Sequence, residues 1–96
     1  DLGVFGDAAS SVVENGNAIL AENENEDLWE VASGMLAGAV QFWLFSRQPC
    51  EDPDCDECSA INTAQKRMKM LVEEVSEFAK QSDYYHCPND EDTGSA

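Results

Sequence analysis

The chain has few basic residues, and none of them precedes Arg47. Its 96 residues include five Lys or Arg against twenty Asp or Glu, a formal net charge of −15 at pH 7. A surface this poor in cations does not attract phosphates, so we expect no direct binding to nucleic acid or to an anionic membrane. A basic or nucleic-acid-binding protein is the better electrostatic match for a partner. The acidity would also serve solubility alone, and composition leaves both interpretations open.

Glycine and proline are absent between Cys58 and Cys87. Apolar residues recur there at three- and four-residue spacing: Ile61, Ala64, Met68, Leu71, Val75 and Phe78. This pattern predicts one amphipathic helix over about residues 60–82. Such a helix would be about 35 Å long, and the residues after it reach back only about 14 Å. Cys87 therefore cannot join the earlier cysteines of its own chain unless the helix breaks.

Two further helices are predicted before this one. Residues 7–21 place their apolar residues on one face and begin at Asp7, an N-cap candidate. Residues 27–47 are apolar nearly all the way round, which is typical of a central, buried helix. Gly34 and Gly38 would suit a membrane dimer, but the apolar run is only about sixteen residues long and contains Gln41. We therefore expect a buried soluble helix and no membrane span.

The last predicted helix carries its basic residues first and its acidic residues last, against the preference of the helix macrodipole. Two copies packed antiparallel would pair Lys66 with Glu74 of the second chain. The same arrangement places Cys87 beside the cysteine segment of the second chain. An intrachain pair between Lys69 and Glu73 is the alternative. We predict a homodimer with this interface: Lys66, Arg67, Met68, Leu71, Glu73, Glu74, Val75 and Phe78.

The four cysteines are unevenly spaced, because Cys50, Cys55 and Cys58 share one acidic turn (residues 49–58) and Cys87 stands 29 positions after Cys58. Three thiolates of the turn, completed by Cys87 or His86 of a second chain, would form a zinc site. The alternative is one disulfide inside the turn and another from Cys87 to the second chain. Zinc would fit the cytoplasm and disulfides would fit secretion, and the sequence does not choose between these compartments.

Two short patterns are similar to those of known families. The spacing of Cys50, Cys55, Cys58 and Cys87 resembles that of plant-type 2Fe–2S ferredoxins, which implies an iron–sulfur cluster. The run EEVSE, with Glu73, Glu74 and Glu77, resembles the EExxE helix of the all-α nucleotide pyrophosphohydrolases, which implies Mg²⁺ ligands. No following helix supplies the ExxD motif that completes that site.

These patterns predict an all-α, single three-helix domain over residues 1–96, with a cysteine-rich turn before the last helix and an acidic tail at 88–96. The domain is expected to pair as an antiparallel helical-bundle homodimer. The predicted function is non-enzymatic: an acidic inhibitor that mimics nucleic-acid charge and occupies a basic site on a partner protein. A structural or secreted dimer held by zinc or disulfides is the alternative. The expected partner-binding residues are Glu14, Glu22, Glu24, Glu26, Asp27 and Glu30.

Overall fold

The computed structural model describes residues 3–23, 25 and 27–90 of the chain. These residues form three α-helices and no strand: α1 is Gly3–Glu22, α2 is Leu28–Ser46 and α3 is Ala64–Gln81. The all-α prediction is therefore confirmed. The predicted acidic tail falls mostly on residues 91–96, which lie outside the described residues.

Contacts between residues divide the chain into two compact units, Asp1–Ser46 and Arg47–Ala96. The N-terminal unit holds α1 and α2, and the C-terminal unit holds the cysteine segment and α3. The charge divides unevenly between them. The N-terminal unit has eight acidic residues and no Lys or Arg, whereas all five basic residues belong to the C-terminal unit.

The N-terminal unit is a pair of helices in which α1 packs against α2. Gly16 of α1 lies against Met35 of α2, and Gly6 is the one buried residue of α1. Asp7 does not cap α1 as predicted, because the helix already begins at Gly3 and contains Asp7 in its second turn. Asp27 does cap α2: its Oδ1 accepts a hydrogen bond from the Trp29 amide at 2.9 Å.

The prediction that α2 is a buried helix is wrong for the described chain. None of its residues is buried; Trp29 is 82% exposed and Phe42 is 73% exposed. The reason is that α1 is the one helix that packs on α2 within this unit, and a single neighbour leaves the remaining sides uncovered. By length and composition α2 could cross a membrane, since its mean hydropathy is 1.2 over an 18-residue window. Much of the apolar surface of α2 is thus exposed.

The C-terminal unit is built around α3, which starts four residues later than predicted. Thr63 caps the helix, and its side chain accepts a hydrogen bond from the Lys66 amide at 3.1 Å. The cap explains the later start, because Thr63 is extended and Ile61 sits in a turn before it. Apolar side chains of α3 remain exposed along one stripe, which is defined by Met68, Val72, Val75 and Phe78.

Two glycines of the helix pair give a matched test of the α1–α2 contact. A Cβ at Gly16 would lie 2.8 Å from the Met35 sulfur, whereas a Cβ at Gly34 would meet nothing within 4 Å. We expect Gly34→Ala to stabilise the unit by about 0.5–1 kcal/mol through helix propensity. Gly16→Ala should gain less, because Met35 must move to make room. Thermal unfolding followed by circular dichroism measures both, and equal gains would contradict the packing of Gly16 on Met35.

Candidate metal centre

Successive turns fold the segment between α2 and α3 so that its three cysteines come together. The Cys55 amide donates to the Asp52 carbonyl at 3.2 Å across Pro53, which is favoured at the second position of such a turn. The Asp54 amide donates to Asp52 Oδ1 at 2.9 Å and fixes the same bend. A second turn joins the Ser59 amide to Asp56. The prolines and aspartates of this acidic run therefore shape the backbone around the cysteines.

The Sγ atoms of Cys50, Cys55 and Cys58 all lie within 4.8 Å of one another. No disulfide joins them, and Cys55 and Cys58 are half-buried while Cys50 is exposed. Three sulfurs at this separation could hold one metal ion, because a metal bound to thiolates at about 2.3 Å brings its sulfurs this close. The sequence prediction that these three cysteines share a site thus has a geometric basis.

The backbone around the cysteines favours the thiolate form of Cys55. Its pKa is lowered mainly by the Cys58 amide, then by hydrogen bonds from the Cys50 and Cys58 side chains and from the Glu57 amide. Amides that follow a cysteine and donate to its sulfur stabilise negative charge there. A thiolate is also the form that binds a metal. The local fold therefore favours, at Cys55, the ionised form that a metal would bind.

Cys58 has the opposite shift. The Cys50 amide, 3.4 Å from the Cys58 sulfur, is the largest single influence and lowers its pKa. The Cys50 thiol, desolvation, the Cys55 thiol and the charge of Cys50 together outweigh it, so that the pKa of Cys58 is raised. One cysteine of the C-x2-C pair is thus easier to ionise than the other. A bound cation would remove this conflict by neutralising the shared negative charge.

Three basic side chains tie the cysteine segment to α3. Lys66 donates to the Ser59 carbonyl at 2.8 Å, and Arg67 donates to the Ile61 carbonyl at 2.8 Å. Arg47 forms an ion pair with Glu74 at 3.0 Å, in which both side chains are about one-third exposed. These contacts therefore join both ends of the segment to one helix.

The same contacts bear on the predicted dimer interface. Lys66, Arg67 and Glu74 were expected to pair with a second chain, yet each has a partner within its own chain. The basic residues at the start of α3 interact unfavourably with the helix macrodipole. Hydrogen bonds from these side chains to carbonyls of the preceding segment offset that cost. Sequence reasoning missed this role because the acceptors are backbone oxygens, which have no residue signature.

Cys87 and His86 do not belong to the group of three sulfurs. Both are exposed, and His86 stacks edge-on against Tyr85 with ring centroids 4.8 Å apart. The Cys87 amide donates to Asp90 Oδ2 at 2.8 Å, and the Asp90 amide donates back to the Cys87 carbonyl at 2.9 Å. α3 runs unbroken between these residues and the cysteine segment, as the sequence predicted.

The carboxylates of the expected partner-binding set are exposed wherever they are described. Glu14, Glu22 and Glu30 face solvent, and Asp27 is exposed while it caps α2. Glu24 and Glu26 lie outside the described residues. Because these carboxylates are exposed, a partner could reach them, although Asp27 also caps α2.

The resemblance to the pyrophosphohydrolase helix implied Mg²⁺ ligands. In the described part of the chain, the carboxylates of this helix do not form a metal-binding group. Glu73, Glu74 and Glu77 are not among donor atoms that converge there, and Glu74 is engaged by Arg47. The ferredoxin-like spacing brings together its first three cysteines and leaves Cys87 apart. No protein-family model, curated protein or solved structure matches this chain.

Proposed function

We propose that the chain is a non-enzymatic interaction protein whose C-terminal unit is held in shape by a zinc ion on Cys50, Cys55 and Cys58, and which pairs as a homodimer. The observation that carries the zinc proposal is the convergence of three sulfurs within 4.8 Å, with backbone amides that favour a thiolate at Cys55. Thiolates prefer soft or borderline cations, and zinc forms structural sites without redox chemistry. The ion would join the segment that Lys66 and Arg67 attach to α3.

Metal stoichiometry tests this proposal. We expect the reduced chain to retain about one zinc per chain after dialysis, as structural zinc sites bind tightly at neutral pH. The double variant Cys55→Ser/Cys58→Ser should lose it. The matched control is Asp54→Asn, which removes a charge from the same segment but no sulfur and should keep the metal. Reduced protein without zinc, or equal retention by the double variant, would rule the site out.

A second function is supported by the distribution of charge. The N-terminal unit has eight acidic residues and no basic residue, and its described carboxylates are exposed. We propose that this surface occupies a basic, nucleic-acid-binding site on a partner protein. Each exposed pair contributes little, so the interaction depends on the sum of many charges.

Charge reversal on α1 tests the second function. Glu14→Lys/Glu22→Lys should slow association with a partner captured from the native source and reduce the dependence of the rate on salt. Asp27 stays unchanged in this variant, because it caps α2. The matched control, Glu77→Lys/Asp83→Lys, makes the same change of charge on exposed residues of the C-terminal unit. Equal association rates for both variants at low salt would show that the α1 charges only serve solubility.

A further inference from the structure

The three-cysteine group (Cys50, Cys55 and Cys58) holds its sulfurs close enough to react with one another. All three Sγ atoms lie within 4.8 Å of each other, and none of them is in a disulfide. Because a disulfide is about 2.05 Å long, two of these sulfurs need to approach by at most about 2.8 Å. Rotation of a cysteine from one staggered χ1 rotamer to the next moves its sulfur by about as much. The fold therefore brings these thiols within reach of disulfide formation.

Cys55 and Cys58 are the pair best placed for that bond. They lie in the successive turns of the segment with two residues between them, and both are half-buried. Their disulfide would close the shortest loop of the three pairings, which has the smallest entropic cost. Cys50 is exposed, and its thiol also donates to the Asp52 carbonyl at 3.9 Å. When one disulfide forms, Cys50 is therefore the thiol that remains.

The surroundings of the group select the kind of oxidant. The residues between the three cysteines are all exposed, so a small molecule in solvent can approach the sulfurs. The same residues include five acids and no base. An anionic oxidant such as glutathione disulfide is repelled by this charge, whereas a neutral hydroperoxide is not.

We propose that Cys55 and Cys58 form a redox-active dithiol, which a neutral hydroperoxide oxidises to a disulfide, and that this oxidation expels the zinc ion. This inference rests on the zinc site proposed above and names its regulation. A disulfide provides no thiolate, and the thiolate is the form that binds a metal. Oxidation of this pair would leave Cys50 as the one thiol of the group, so zinc and the disulfide exclude each other.

The oxidation takes place in two steps, shown here for hydrogen peroxide. One thiol attacks a peroxide oxygen, the O–O bond breaks, and a sulfenic acid and one water form. The second thiol then attacks the sulfenic sulfur, the S–O bond breaks, and a second water leaves. The two sulfurs lose two electrons, which reduce the peroxide. When the sulfurs start as zinc-bound thiolates, solvent supplies the two protons that complete the water molecules.

Hydrogen peroxide, added in equimolar amount to the reduced and zinc-loaded chain, tests the proposal. We expect release of about one zinc per chain and a fall in free thiols from the four of the reduced chain to about two. Peptide mapping should place the disulfide between Cys55 and Cys58. Dithiothreitol should restore the thiols and the bound zinc.

Serine variants of the zinc-free chain identify the pair. Cys50→Ser should still form the disulfide, whereas Cys55→Ser and Cys58→Ser should not. Cys87→Ser is the matched control, because Cys87 is exposed and lies outside the group of three sulfurs. It should be oxidised as the wild type is. A disulfide that requires Cys50 or Cys87 would overturn the assignment, and circular dichroism checks that each variant retains its helices.

Salt tests the selection by charge. Glutathione disulfide should oxidise the pair several-fold more slowly than cystamine, a cationic disulfide, and the difference should shrink as the salt concentration rises. Equal rates at low salt would overturn the preference for a neutral oxidant.

The redox proposal and the zinc proposal can fail separately. A chain that binds zinc but keeps both its metal and its thiols in peroxide would end the redox proposal and leave the zinc site standing. A reduced chain that binds no zinc, yet forms the Cys55–Cys58 disulfide, would end the zinc proposal and the regulation of zinc, and would support the dithiol alone.

Discussion

Zinc should raise the melting temperature of the C-terminal unit by on the order of 20 °C when free zinc is about a thousandfold above its dissociation constant. The physical reason is that an ion bound only by the folded state stabilises it by mass action. The apo unit has little else to hold it, because no apolar side chain of α3 is buried among the described residues. Amide hydrogen exchange of α3, with and without zinc, localises the effect to this unit.

Two controls separate zinc binding at the cysteines from a general effect of divalent cations on an acidic chain. Mg²⁺ prefers oxygen ligands and should not change the exchange of α3. Cys55→Ser/Cys58→Ser should melt at the same temperature with and without zinc. If Mg²⁺ protects α3 as well as zinc does, the acidic residues and not the sulfurs bind the ion.

The helices and the cysteine site could be predicted from sequence to different depths. Periodicity located α3 well, because its apolar residues recur at helical spacing without glycine or proline. Its true start at Ala64 depends on the hydrogen bond from the Lys66 amide to the Thr63 side chain, which the spacing of apolar residues does not report. The grouping of three cysteines followed from their short separations. The hydrogen bonds from particular backbone amides to particular cysteine sulfurs could be identified only from the structure.

The prediction for α2 failed for an instructive reason. An all-round apolar helix is usually buried. No sequence pattern indicates that only one helix packs on α2 within its unit. Because Trp29 and Phe42 are exposed, they are not core residues of the N-terminal unit. The Arg47–Glu74 pair was missed for the opposite reason, since residues 27 positions apart give no periodic signal.

The reactivity of the cysteines should differ in a definite order. Cys55 should be alkylated by iodoacetamide faster than Cys58 at neutral pH, because the thiolate is the nucleophile. Amide and thiol donors, with the Cys58 amide foremost, lower the pKa of Cys55, whereas the pKa of Cys58 is raised. The Cys55 thiolate therefore persists to lower pH. As the pH is lowered, the alkylation rate should fall first at Cys58 and only at a lower pH at Cys55.

Mass spectrometry of cysteine peptides after timed alkylation, over a range from weakly acidic to basic pH, measures these profiles. We expect the Cys58 profile to lie at higher pH than the Cys55 profile, with several-fold faster labelling of Cys55 near neutrality. Glu57→Pro removes one of the amides that donate to Cys55 and should shift its profile to higher pH. Glu57→Gln keeps that amide and should move the profile less. Faster labelling of Cys58 would mean that the amides do not point at the Cys55 sulfur. Zinc should protect both residues, since a thiolate bound to the metal is a poorer nucleophile.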